Sequence, residues 1–193
     1  MEKYSDFRDN FTGINPFLNP RRKKLTFKGI LKAILKLPLL LLLYCNINTI
    51  DWLIRINKKD VKSIENHATI ACNSVSVFDK YVIKKIFRAD IIRYNIKFVF
   101  PEGCSSNGMA ILKFNNNIEC DYVCGLRYSE GCILSYGNYY KFLFYFLATE
   151  NIVDICMMKS KNPKDLCKVT GLLQIDLGKE DKKRFMAILN KTK

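Results

Sequence analysis

The stretch from Leu25 to Ile50, LTFKGILKAILKLPLLLLLYCNINTI, constrains this chain more than any other. Phe27, Ile30, Leu31, Ile34 and Leu35 fall at helical spacing, and Lys28, Lys32 and Lys36 form an i, i+4 stripe on the other side. That spacing predicts a basic amphipathic helix. Pro38 is expected to interrupt it, because proline removes a backbone donor and its ring crowds the preceding turn. The uncharged run from Leu37 to Ile50 is only fourteen residues long, whereas a spanning helix needs about twenty. The length fits a helix lying in a membrane interface, or a re-entrant one, held by apolar burial plus about 1 kcal/mol per basic residue near anionic lipid. Arg21, Arg22, Lys23 and Lys24 stand directly before it. A soluble core helix with solvated lysines is one alternative, although Leu39 to Leu43 are hard to hide on one face. A full span with Lys32 and Lys36 snorkelling is the other.

The remainder alternates between element types. His67 to Cys72, Ile96 to Phe100, Tyr122 to Tyr128 and Ile152 to Met158 read as strands, and Val77 to Phe87 and Tyr139 to Leu147 as helices. Asn162-Pro163 offers an N-cap with proline in the first turn, opening a helix through about Leu173, and Lys182 to Leu189 forms a last amphipathic helix. The class is α/β: a single mixed sheet flanked by helices, preceded by the membrane-associating segment. Of the 193 residues, 49% are apolar, enough for one modest domain and far from a disordered basic tail. The division falls at residue 57, with the N-terminal motif and helix in 1–57 and the α/β domain in 58–193.

Charge and reactive side chains exclude several classes. Thirty-two basic against 18 acidic residues give a net charge of +14, which suits either nucleic acid or an anionic bilayer. The basic residues flank the apolar segment and no nucleic-acid motif is present, so lipid is the expected partner and nucleic acid is not. A single histidine, His67, rules out any site in one chain that needs two. With no cleavable secretory signal in view, the eight cysteines read as reduced thiols of a cytosol-facing protein. Cys120, Cys124 and Cys132 have the wrong spacing for a zinc knuckle, and no metal is expected.

Two short stretches at strand ends carry the chemistry, where open α/β sheets place their sites. The first is Asn73-Ser74-Val75-Ser76-Val77-Phe78-Asp79, and the second Phe98-Val99-Phe100-Pro101-Glu102-Gly103-Cys104-Ser105-Ser106-Asn107-Gly108. Taken singly, Ser76 to Asp79 is a capping box that starts a helix, and the Pro-Glu-Gly turn is a loop able to form an anion-binding nest.

In this order the two stretches resemble the glycerolipid and lysophospholipid acyltransferase family, which carries NHxSxxD and then FPEG(T)xSxG. Ile111 to Phe114 and Gly125 to Ser129 are similar to later family segments, and MEKYSDFRDNFTGINPFLNP is similar to the opening of a fungal branch that acylates lysophosphatidic acid with oleoyl-CoA at lipid droplets. The resemblance implies acyl-CoA as co-substrate, a lysophospholipid acceptor, no other cofactor, and a place on the cytosolic face of the endoplasmic reticulum or a lipid droplet. By position it implies Ser74 and Asp79 as the catalytic pair, with Asn73, Pro101, Glu102, Gly103, Cys104 and Ser105 holding substrate.

This chain departs from the pattern twice. Serine stands at 74 where the family has its histidine base, removing a group worth about 10² to 10⁴ in rate. His67 is seven strand residues away, about 23 Å at 3.3 Å per residue and on the opposite face, so it is no substitute. Cys104 as an acyl-accepting thiol lacks an activating histidine. Asp79 and Glu102 are 23 positions apart, too few for the family's intervening block with its phosphate-contacting arginine. Arg88 and Arg93 are the local arginines, and both fit a solvated face. The expectations are an acyltransferase with altered base chemistry or, alternatively, an inactive homologue that binds lipid at a membrane. Asn73 to Asp79 and Glu102 are expected to face one cleft, with the 27–50 helix beside its mouth.

Overall fold

Five strands account for the alternating segments of the sequence. A computed structural model describes residues 4–22, 24–45, 47, 49–59, 64–115 and 118–191. The strands are β1 (Arg55–Lys59), β2 (Thr69–Cys72), β3 (Lys97–Val99), β4 (Tyr122–Tyr128) and β5 (Ile152–Lys159). They form one mixed sheet in the order β1-β5-β4-β2-β3. β2, β3 and β4 run parallel, β5 is antiparallel to β4, and β1 is parallel to β5. Period-two alternation decides which side chains go where. Ile70, Cys72, Cys124, Leu126, Val153 and Ile155 point to one face and into the main core, whereas Ala71 and Val123 pack on the other with Leu166.

The main core is covered by α1 (Phe27–Tyr44), α2 (Ile50–Leu53), α3 (Asp79–Tyr94) and α4 (Tyr139–Ala148), while α5 (Leu166–Thr170) covers the opposite face. α5 is shorter than its sequence suggests, because Gly171 adopts a left-handed φ of 66° and ends it. β1 was not anticipated. Its sequence, RINKK, has no apolar alternation, since it is an edge strand exposed at Arg55, Lys58 and Lys59. Its neighbour β5 carries the burial for both, and β1 adds mainly backbone pairing.

A second, smaller core joins the opening segment to α6 (Lys179–Lys191). Phe185 of α6 is fully buried and meets the rings of Tyr4, Phe7, Phe17 and Tyr136 at 5.3–5.8 Å. Asp9 closes the turn between Phe7 and Phe17 by accepting from Thr12 N and Thr12 Oγ1, both at 2.9 Å, and the Thr12 N–H holds its pKa below the usual value.

Helix α1 turns the ordinary amphipathic arrangement round. Gly29, Ala33, Leu40 and Leu43 face the protein, while Phe27 (84% exposed), Leu35 (70%), Ile34 (60%) and Leu41 (59%) point away from it. Of the lysine stripe, Lys32 reaches Glu150 at 3.1 Å, and Lys36 is partly buried, which lowers its pKa. The lysines therefore flank the packed side and leave the outward face uncharged. Pro38 sits inside the helix and does not end it. Its ring lies on the exposed face, and the burial of Leu40 and Leu43 beyond it offsets the backbone cost of about 3 kcal/mol. Among the described residues no helix is long and apolar enough to cross a membrane.

Candidate functional site

The two motif stretches meet at the C-terminal end of β2. Asn73, leaving the strand, is buried and spends both polar atoms on β4: its Oδ1 accepts from Leu126 N at 2.7 Å, and its Nδ2 donates to Leu126 O at 2.9 Å. The side chain thus behaves as one more rung of the β2–β4 pairing. Ser74 is half-buried, donating its N–H to Glu102 Oε1 at 2.8 Å and accepting at its carbonyl from Ser106 N at 3.0 Å. Two hydrogen bonds therefore tie the first stretch to the second.

Asp79 closes the other end of the segment. Its carboxylate accepts from Val75 N at 3.0 Å and from Ser76 N at 3.2 Å, while Ser76 Oγ accepts from Phe78 N at 3.2 Å and donates to Cys132 O at 2.6 Å. Ser76 and Asp79 thus close the turn that leads into α3, whose N-cap, Phe78, carries no side-chain cap. Burial pushes the Asp79 pKa up to about 7, against the pull of the Val75 N–H. The buried Tyr128 hydroxyl lies beside the Asp79 carboxylate; burial first, and then the Asp79 charge, push the phenol pKa up.

Glu102 is the keystone of the second stretch. It is fully buried, and its Oε2 accepts from Leu112 N at 2.7 Å, so one carboxylate spans residues 74 and 112. Burial raises its pKa to about 7 although two N–H groups stabilise the charged form. Around it, Pro101 is buried and its carbonyl accepts from Asn115 N, and Gly103 N–H closes the turn onto Phe100 O at 3.1 Å. Gly103 has φ +65°, which favours glycine, whereas the exposed Asn115 side chain, 2.6 Å from where a β-carbon would lie, is free to swing aside. At Gly108 an added β-carbon would come within 3.0 Å of Val75, so that contact too joins the stretches. Cys104 is half-buried with its thiol pKa raised by burial, and Ser105 accepts at its carbonyl and hydroxyl from Lys182 Nζ at 2.6 and 2.8 Å. Asn107 donates from Nδ2 to Asn15 O and Leu18 O and from its backbone to Pro16 O, which fastens the opening segment over the loop.

No family model, curated protein or solved structure matches this chain. Its chemistry has to be read from the geometry.

That geometry brings the 73–79 and 98–108 stretches together, but not around an open cleft. Asp79 is 5% exposed and Glu102 not at all. Among the described residues, four cavities have volumes of about 460 to 660 Å³, and of these four the one of about 480 Å³ alone is lined by a residue of the two motifs, Cys104. His67 lies in an exposed turn before β2, with φ +59°, at the end of the strand away from Ser74. Arg88 and Arg93 are exposed on α3. Sequence reasoning missed Tyr128 beside Asp79 and Lys182 beside Ser105. Tyr128 falls in a stretch noted for its similarity to the family, but Lys182 is one of many lysines in a basic chain and carries no local signal.

Proposed function

We propose that this chain is an acyl-CoA-dependent acyltransferase acting on lysophosphatidic acid or a related lysophospholipid at a membrane surface, in glycerophospholipid synthesis or remodelling. The observation that carries this reading is the closure of the two motif stretches on one another, with Glu102 and Asp79 holding the consecutive N–H groups of Ser74, Val75 and Ser76. In the reaction the acceptor hydroxyl oxygen attacks the thioester carbonyl, the carbon–sulfur bond breaks, and coenzyme A leaves as thiolate. The hydroxyl proton passes to a base and then to that thiolate. With serine at 74, Asp79 is the base in this proposal, and a pKa of about 7 suits a general base near neutral pH. Membrane attachment is assigned to α1, whose outward apolar face is flanked by Arg21 and Lys24. The cytosolic face of the endoplasmic reticulum or a lipid droplet is the proposed location.

A second reading is favoured by the enclosure of the site. Asp79 and Glu102 are both buried and both engaged by backbone N–H groups, which describes a scaffold as well as it describes a catalyst. On that reading the chain is an inactive homologue that binds lipid at the membrane. Acyl transfer from labelled oleoyl-CoA to lysophosphatidic acid in anionic liposomes separates the two. Product from the wild type, lost in a folded Asp79→Asn variant and increased in Ser74→His, supports the enzyme. Liposome binding with no product above that variant supports the lipid-binding homologue.

A further inference from the structure

Helices α1, α2, α3 and α4 together cover one face of the sheet, and their exposed side chains form two bands on that side. One is the apolar face of α1, where Phe27, Leu35 and Leu41 point away from the protein. The other is a row on α3. Lys80, Lys84 and Arg88 stand four residues apart and exposed, and Ile92 continues the row as an exposed apolar side chain. The other side of α3, carrying Val82, Ile83 and Phe87, is buried in the main core. Lys80 rests on the Tyr81 ring at 4.9 Å, and none of the three cations has a carboxylate partner among the described side chains.

Contacts fix the two bands side by side. The Tyr44 ring at the end of α1 meets Tyr81 of α3 edge-on at 6.5 Å. Thr49 donates to Leu39 O at 2.7 Å, which holds the start of α2 to α1, and the Asp51–Lys85 ion pair holds α2 to α3. Trp52, 72% exposed, stands on this linking helix. Either band alone is ordinary, since a lysine row is commonly a solvated helix face and an apolar stripe fits many partners. Together they select one. Apolar surface beside unpaired cations matches acyl chains under a negative surface, with tryptophan and tyrosine at the boundary where their rings settle. Asp51 and Glu150, two carboxylates of this side, are already taken up by Lys85 and Lys32. A second copy would bring its own cationic row to the contact, in a chain of net charge +14.

We propose that the helical side of the sheet docks on an anionic bilayer, with α1 inserting apolar side chains and Lys80, Lys84 and Arg88 of α3 meeting the headgroups. This deepens the membrane attachment assigned to α1 and rests on that assignment, not on acyl transfer.

Trp52 is the single tryptophan of the chain and reports the contact from between the two bands. The full-length protein is mixed with phosphatidylcholine vesicles, with and without phosphatidylserine, carrying bromine on the phosphatidylcholine acyl chains as a quencher. On phosphatidylserine vesicles the wild-type Trp52 emission should shift to the blue and be quenched. Lys80→Gln/Lys84→Gln/Arg88→Gln should weaken binding to those vesicles by about tenfold or more, with its thermal midpoint and its binding to pure phosphatidylcholine unchanged. An equal loss of charge in and before α5 on the opposite face, Lys161→Gln/Lys164→Gln/Lys168→Gln, should weaken binding by less than about threefold. Bound protein with Trp52 unquenched overturns the proposal, as does equal weakening by the two triple variants. A vesicle-free dimer that shields Trp52 from iodide also overturns it and makes the face a contact between copies. Acyl transfer is read on the same vesicles: quenching without product leaves the docking face standing and removes the enzyme reading, whereas product with Trp52 unquenched does the reverse.

Discussion

The outward face of α1 presents Phe27, Ile34, Leu35 and Leu41 to the surroundings, whereas the junction between β2 and the 101–112 loop encloses two carboxylates. Apolar side chains lie outside in the first region and ionisable ones inside in the second, so each departs from the usual distribution in the opposite direction. The costs differ in kind. An exposed apolar face adds nothing to the stability of the fold and yields its burial free energy only when something covers it. A buried carboxylate costs free energy in the folded state and persists because backbone N–H groups hold it. The first region therefore points to a partner, and the second to an internal constraint that links two loops.

The largest effect is expected where that constraint is removed. Glu102→Ala leaves the Ser74 and Leu112 N–H groups without acceptors in a buried site, so denaturant unfolding should show a loss of about 3–5 kcal/mol. A loss below about 1 kcal/mol would mean that the junction is not held in this way. Next comes the outward face. Leu35→Glu/Leu41→Glu should leave the thermal midpoint nearly unchanged, because both side chains are exposed. Its binding to anionic vesicles should weaken by roughly a hundredfold, from about 1.5 kcal/mol or more of apolar burial lost at each position. Unchanged vesicle binding would remove α1 from the membrane contact.

A smaller effect follows from the raised pKa values. Asp79 and Glu102 have folded-state values of about 7, above their ordinary 3.8 and 4.5. The unfolded chain thus releases these protons more readily than the folded one. Their contribution to stability is complete below about pH 4 and is lost as pH rises through about 7. Thermal midpoints should fall between pH 5.5 and 8, and a rise over that range would reverse the sign. The smallest effect is on salt. Lys24 and Lys28 stand exposed at the start of α1, so raising ionic strength should weaken binding to anionic vesicles modestly and leave apolar retention in place. Binding abolished by salt would make the contact purely electrostatic.

The two regions were not equally legible in the sequence. Helix α1 was visible in the spacing of Phe27, Ile30, Leu31, Ile34 and Leu35, and β2, β4, β5 and α4 were found within a few residues of their observed limits. Periodicity does not say which side of a helix meets the protein, so the inward position of Gly29 and Ala33 had to come from packing. The continuation through Pro38 depends on burial at Leu40 and Leu43 and leaves no local mark. β1 was hidden because an edge strand of charged residues lacks alternation. At the junction, the sequence marked Asn73, Asp79 and Glu102 but not their tasks. Asn73 pairs with Leu126 and Glu102 with Leu112, across 53 and 10 positions, and such bonds follow from topology alone.

The pH dependence of acyl transfer from oleoyl-CoA to lysophosphatidic acid in anionic liposomes, measured on wild type beside Asp79→Asn, tests the proposed chemistry most directly. The account predicts a wild-type rate that rises through about pH 7 as Asp79 ionises and no comparable rise in the variant, with both proteins folded and vesicle-bound. A rate that survives unchanged in Asp79→Asn, or a wild-type protein that binds the vesicles and makes no product at any pH, would contradict it.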